Sequence, residues 1–316
     1  MLDVVAIGEL LIDFTCVGTD ADGYPTMAAH PGGAPANFLA ALNRYGAKTA
    51  LLGKVGTDTF GKLLLGTLRD TGIDTQGIVT DDSVFTTLAF VTLDATGNRE
   101  FSFARKPGAD TCLRSQELRL DLIDEARVLH FGTLSLTHEP ARTATQEAIA
   151  YAKARGKLIT FDPNLRKPLW QTEEQAKEQI LWGLHQADVV KISDEEVEFL
   201  FGCTPEEGAS RLLEEFGVSL AMVTLGAEGA ILKNRNGLAR VKCPTVTVVD
   251  TTGAGDIFGD SAVSRLLQTG LRPEALKPEQ LLQIGRFAAT AASLSTEHPG
   301  GIPSIPSQES VEKTEV

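Results

Sequence analysis

Cysteine is scarce in this 316-residue chain: Cys16, Cys112, Cys203 and Cys243 are its four, with no Cys-x-x-Cys pair. That scatter argues against a zinc site or a disulfide framework and fits free thiols in a reducing compartment. Positive charge is in deficit, with 29 Lys and Arg against 42 Asp and Glu and a net charge of −13. A nucleic-acid surface needs clustered Lys and Arg, so no nucleic-acid partner is expected. A nucleotide substrate is not excluded, because backbone N–H groups can hold a phosphate locally. No uninterrupted apolar run approaches the ~18 residues of a membrane span, so no membrane association is expected. Met1 to Phe14 is apolar but broken by Asp3, Glu9 and Asp13, with neither a basic leader nor a small-residue cleavage site. A secretory signal is therefore not expected, and the cytoplasm is the expected compartment. Internal repeats and low-complexity linkers are lacking too. Only Pro306 to Val316, polar and without period, reads as disordered.

What remains is ordinary globular composition, 42% hydrophobic and 22% charged, laid out in alternation. Short apolar runs at Val4–Ile7, Val128–Phe131, Leu158–Phe161, Val189–Ile192 and Ala221–Thr224 read as buried parallel strands. Helix-like stretches lie between them, one opening after Glu139-Pro140 and stopping at Gly156, another carrying Ile180, Leu181 and Leu184. That alternation predicts a doubly wound α/β sheet with helices on both faces. One region breaks the pattern. Thr87–Leu93 and Glu100–Arg105 read as two strands joined by a turn at 94–98, with Phe101 and Phe103 alternating with polar neighbours. With Asp13 to Met27 they make either a small projecting sheet or a solvent-facing excursion without a role.

Near the C-terminus, Thr245–Val249 reads as a strand, followed by Asp250-Thr-Thr-Gly-Ala-Gly-Asp256 and then a helix with its apolar stripe ending at Gly270. A Gly-rich loop at a helix start aims unpaired N–H groups and a positive dipole end at an anion. Gly253 and Gly255, lacking Cβ atoms, would let a phosphate approach closely. Asp256 is out of place in such a site, since a carboxylate repels the anion. It is either a helix cap or a general base beside the phosphate, and the loop alone does not decide. Gly253-x-Gly255-x-x-x-Gly259 is a poor dinucleotide fingerprint, because a Rossmann loop opens the first βα unit. Gly56–Lys62 follows the Walker A pattern but has Leu63 where Ser or Thr should hold Mg²⁺, and no strand-like run feeds it. It reads as a turn before a helix.

The loop Asp250–Asp256 closely resembles the C-terminal signature of the ribokinase-like (PfkB) sugar kinases. Gly32-Gly33-Ala34-Pro35-Ala36-Asn37 resembles the N-terminal Gly-Gly motif of that family, Gly53–Asp58 the segment after it, and Thr224–Gly229 its nucleotide-side turn. The landmarks stand in family order from about Val4 to Ser304. The resemblance implies one ribokinase-like domain over residues 1–316, with a mostly parallel sheet and a small β-sheet lid from about 13–30 and 84–108. It also implies roles. Asp256 would be the catalytic base, and Gly253, Ala254 and Gly255 the anion hole. Asp13, Gly32, Gly33, Asn37 and Arg105 would meet the sugar. Asn164, Arg166, Lys191, Thr224, Gly226 and Gly229 would serve the nucleotide. Glu196 would organise Mg²⁺ through water, although Ser193 stands where Asn is usual and the same letters make a helix start. Asp250 and Thr252 would sit beside a K⁺ ion.

The Gly-Gly-Ala-Pro-Ala-Asn form, Lys191–Glu196 and Phe103–Asp110 together look most like fructokinases. The expected reaction is phosphoryl transfer from ATP·Mg²⁺ to a hydroxyl of a ketohexose, O6 of D-fructose. Arg105 fits a neutral ketose or a sugar-acid carboxylate equally, so 2-keto-3-deoxygluconate kinase is the alternative within enzymes. A non-catalytic sugar-binding regulator and a nicotinamide oxidoreductase are the alternatives from other classes. A homodimer joined through the lid strands is expected, with Arg105 reaching the sugar on closure.

Overall fold

The apolar runs become the inner strands of one large sheet. The computed structural model describes residues 1–93 and 99–314. Its strands are β1 (Val4–Ile7), β2 (Leu11–Thr19), β3 (Pro25–Gly32), β4 (Thr49–Gly56), β5 (Ile78–Asp81), β6 (Leu88–Leu93), β7 (Arg99–Ala104), β8 (Val128–Gly132), β9 (Leu158–Asp162), β10 (Val189–Ser193), β11 (Leu220–Thr224), β12 (Ala230–Asn234) and β13 (Gly237–Val241). The helices are α1 (Ala34–Arg44), α2 (Thr59–Asp70), α3 (Leu120–Glu125), α4 (Ala141–Ala154), α5 (Glu173–Gln186), α6 (Asp194–Phe201), α7 (Pro205–Glu214), α8 (Ala254–Thr269), α9 (Pro278–Ser295) and α10 (Gln308–Thr314).

Nine strands pair in the order β13-β12-β11-β10-β9-β8-β1-β4-β5, parallel except for the β11–β12 and β12–β13 hairpins. Alternation along β1 shows why both faces are covered. Val5 and Ile7 join the core beneath α3 to α7, whereas Val4 and Ala6 join the core beneath α1, α2, α8 and α9. The chain leaves β1 outward to β4 and β5 and later returns on the other side at β8, so a crevice opens at the carboxyl ends of β1 and β8. Among the described residues no helix is long and apolar enough to cross a membrane.

A separate sheet, ordered β3-β2-β6-β7, stands over that crevice. Along β2, Leu11, Asp13 and Thr15 face the crevice, while Phe14 stacks on Phe90 of β6 and meets Phe60 of α2 edge-on. The expected strands around Thr87–Leu93 and Glu100–Arg105 are β6 and β7, and the turn at 94–98 lies outside the described residues.

Three expectations need correction. Thr245–Val249 is irregular rather than a strand, with Val248 and Val249 exposed: a β-branched run with no neighbouring edge to pair has nothing to hold it extended in a sheet. Pro306–Val316 is not simply a loose tail, because α10 buries Val311 completely and ties Glu312 to Arg265 at 2.6 Å. A strand, β4, does run straight into Gly56, yet the Walker-like segment still caps a helix: Asp58 accepts the N–H groups of Phe60 and Gly61 at 2.9 and 3.1 Å.

Candidate active site

The site is built where α8 begins. Gly253 takes φ +77°, a left-handed turn that glycine adopts freely, and the chain then enters α8 with Ala254, Gly255 and Asp256 in its first turn. The Ala254 N–H closes onto the Thr251 carbonyl at 3.3 Å. Asp256 is held from two sides: Asn37 of α1 donates to Oδ2 at 3.1 Å, and Asn164 donates to Oδ1 at 3.4 Å. Asp256 is therefore no mere cap, for its two carboxylate oxygens meet side chains from other elements. Burial raises its pKa above the usual carboxylate range, against the Asn37 hydrogen bond and the charges of Lys191 and Arg166.

Asn164 follows β9 at φ +43°, alone among the described non-glycine residues in a left-handed conformation. Asp162 fixes it by accepting its N–H at 3.1 Å. Asp162 also accepts from Lys191 Nζ at 3.0 Å, a buried pair. Burial, then the neighbouring Glu196 and Asp256, push the Asp162 carboxyl up to about 7 against the pull of Lys191. Burial opposes the charge on Lys191, but Asp162, Glu196 and Asp256 together hold it above the ordinary lysine value. Glu196 and Ser193 form the reciprocal cap of α6, at 2.9 and 3.1 Å. The other Glu196 oxygen accepts the Leu165 N–H at 2.7 Å, so this carboxylate shapes the 162–166 turn as well as the helix start.

Two clefts meet at the Gly253–Asp256 turn. The first, of about 210 Å³, lies under the small sheet and is polar: Glu9, Asp13, Asn37, Arg166 and Asp256 line it beside Gly33. Gly33 has φ +111°, and a Cβ there would stand 2.6 Å from the Glu9 carbonyl. Gly32 lies against the Asp13 carboxylate, where any side chain would collide. Burial raises Asp13 to about 6, with Arg166 opposing and Asp256 adding to the rise. The second cleft, of about 470 Å³, is mostly apolar, bordered by Thr224 at the end of β11, by Gly226 and Gly229 after it, and by Phe258 and Ala289. Thr251 and Gly255 line both. Asp250 knots the loop from outside, accepting from the Thr252 N–H at 2.9 Å, the Thr252 hydroxyl at 2.7 Å and the Gly300 N–H at 3.0 Å.

Two outcomes were not foreseen. Arg105, expected to face the sugar, does not line the polar cleft. Its Nε and Nη2 donate to Asp110, its Nη1 to Thr137 at 2.8 Å and its Nη2 to the Leu134 carbonyl at 2.9 Å. A guanidinium cut off from water takes the nearest carboxylate, and Asp110, five residues on, supplies it. Glu9, treated in the sequence only as a break in an apolar run, lines the cleft instead, with Oε1 accepting the Ala34 N–H at 3.0 Å. Burial pushes it up to about 7. Its sequence signal was an acid just past the first buried strand, where ligands of open α/β sheets bind.

A polar cleft and an apolar cleft sharing a glycine-rich helix start, with the Asp256 carboxylate on the polar side, suit phosphoryl transfer between a polyol and a nucleotide. Comparison with known proteins agrees. The pfkB family carbohydrate kinase profile matches residues 1–308. Fructokinase-1 of Zea mays is 42% identical over 98% of this chain and 96% of its own length. Fructokinase of Xylella fastidiosa with bound ATP superimposes with a TM-score of 0.90 at 30% identity, covering 99% of this chain and 98% of that one. Fructokinase of Vibrio cholerae, a double mutant in its fructose-, ADP- and potassium-bound form, gives 0.86 at 31% identity over 100% and 99%. The chain belongs to the pfkB family and is a carbohydrate kinase.

Proposed function

We propose that this enzyme is an ATP-dependent fructokinase that transfers the γ-phosphoryl group to O6 of D-fructose. One observation carries the reading: Asp256 lines the polar cleft next to Gly255, which lines both clefts, at the positive end of α8. A carboxylate there takes the proton from the attacking hydroxyl, while N–H groups of the Gly253–Gly255 turn stabilise the charge on the transferred group. Its raised pKa makes it a stronger base than an exposed aspartate, and Asn37 and Asn164 aim it. Asp13, Asn37 and the backbone at Gly33 serve the sugar; Thr224, Gly226, Gly229, Lys191, Asn164 and Arg166 serve the nucleotide.

Among the described residues no three acidic, His or Cys side chains converge as a ready cation cage. Mg²⁺ keeps most of its water and arrives on substrate phosphates, and Glu196, whose oxygens accept the Leu165 and Ser193 N–H groups, would organise it through water. When bound, the ion would neutralise phosphate charge. A K⁺ ion beside Asp250 and Thr252 would support the turn electrostatically from beneath. The small sheet would close over the sugar and keep water from the γ-phosphate. Exposed Val17 and Tyr24 at its tip favour a homodimer through these strands, and cytoplasmic residence fits the free thiols. A coupled ADP-release assay over neutral ketoses, aldoses and sugar acids tests the reading. Preference for D-fructose supports it, and turnover confined to another sugar overturns it.

A further inference from the structure

Arg105 and Asp110 form a closed pair behind the wall of the polar cleft. Each side chain is 2% exposed. Asp110 takes two guanidinium donors on Oδ2 and the Thr87 hydroxyl on Oδ1, while Thr137 and the Leu134 carbonyl take further Arg105 donors. Leu134 lines the cleft and its carbonyl accepts from Arg105, so the guanidinium lies one residue behind the cleft wall. In front of it, Glu9 lines the cleft within the fields of both Arg105 and Asp110. A lone guanidinium in that position would draw a carboxylate into the cleft. Paired with Asp110 it carries no net charge, so the ionised form of Glu9 is left to set the charge at that wall.

We propose that Asp110 sets the charge selectivity of the sugar cleft: by neutralising Arg105 it leaves Glu9 to accept hydroxyl donors and to repel carboxylates, so neutral ketoses enter and sugar acids do not. The inference rests on the fructokinase reading and deepens it, because it names what excludes the sugar-acid alternative. Selectivity here comes from a repulsive element as much as from attraction. Asp110 acts through Arg105 and Glu9 without touching substrate, which makes it a positioning residue.

The test compares kcat/KM for D-fructose and for 2-keto-3-deoxygluconate in the full-length enzyme with ATP·Mg²⁺, on the alkaline side of the Glu9 titration at about 7. Asp110→Asn keeps the shape of the pair: its amide oxygen still accepts from Arg105, the Thr87 hydroxyl turns to accept the new N–H, and the Arg105 charge is left unneutralised. The fructose-to-acid ratio should fall by roughly tenfold or more, through a gain on the acid. Adding Arg105→Gln to that variant should cancel the gain. An unchanged ratio in folded Asp110→Asn overturns the proposal, as does a gain that survives loss of Arg105. If Asp110→Asn fails to fold, as a broken buried pair allows, Glu9→Gln carries the test: it should lower the same ratio, and an unchanged ratio is again contrary. Thermal-shift titration with the two sugars reads the selectivity without turnover. An enzyme that binds neutral sugar over acid yet fails to phosphorylate fructose counts against the fructokinase reading alone.

Discussion

Replacing Asp256 by Asn separates the chemical role of this residue from its structural one. The carboxylate accepts one hydrogen bond on each oxygen, from Asn37 and from Asn164. A carboxamide of the same shape has only one acceptor, so one donor must find another partner. Asn37 can turn over, because its Oδ1 is buried and without a partner and would accept the introduced N–H. The substitution also removes a charge that burial disfavours. Stability should therefore stay within about 1 kcal/mol of wild type, or rise. Turnover should fall by roughly 10²–10⁴-fold, about 2.7–5.4 kcal/mol of transition-state free energy, since nothing else at the turn can take the hydroxyl proton. Stopped-time ADP release at saturating sugar and ATP reads kcat, calorimetry reads ATP affinity, and circular dichroism melting reads the fold. A folded variant with near-normal kcat would refute the base assignment. A variant that loses ATP affinity and stability together would show a structural role only.

Three further outcomes follow from the same geometry. Glu9 is raised by burial to about 7 from 4.5, so the folded state holds its proton more tightly and stability is lost as pH rises from about 4.5 through about 7. Wild type should lose about 3 kcal/mol more unfolding free energy over that window than Glu9→Gln, read by urea titration at each pH; parallel slopes would contradict it. Gly253→Ala forces a side chain into φ +77° with its Cβ 3.1 Å from Gly301 Cα; it should cost roughly 1–2 kcal/mol and lower kcat, and an unaffected melt and rate would remove the strain argument. Exchanging K⁺ for tetramethylammonium at constant ionic strength should slow turnover, and an unchanged rate would remove the cation beside Asp250.

The sequence displayed its large sheet through β1, β8, β9, β10 and β11, whose runs are buried on both faces and so read as continuous apolar stretches. It displayed α8 through a glycine start and a glycine stop, Gly253 and Gly270, both in left-handed geometry. β4 escaped because Gly53, Lys54 and Gly56 dilute its pattern, although Lys54 is buried by pairing with Asp81 and Glu117. Thr245–Val249 misled in the other direction: strand propensity without a strand neighbour. In the candidate site, Gly33, Asn164 and Asp256 entered through the resemblance, and the fold brings all three to one cleft. The fate of Arg105 was not legible, because it depends on Asp110, and a pairing of two buried side chains leaves no mark in spacing or period. Glu9 was hidden for the same reason, its role emerging only when β1 is placed beside β8.

The proposed role of Asp256, next to Gly255 where the two clefts meet, is to direct the γ-phosphoryl group onto a sugar hydroxyl. Phosphorus NMR of the reaction of ATP·Mg²⁺ with D-fructose observes that transfer directly. The predicted result is fructose 6-phosphate and ADP appearing in equal amounts, with both lost in Asp256→Asn; free inorganic phosphate in place of the sugar ester, or ester formation that persists in the variant, would contradict it.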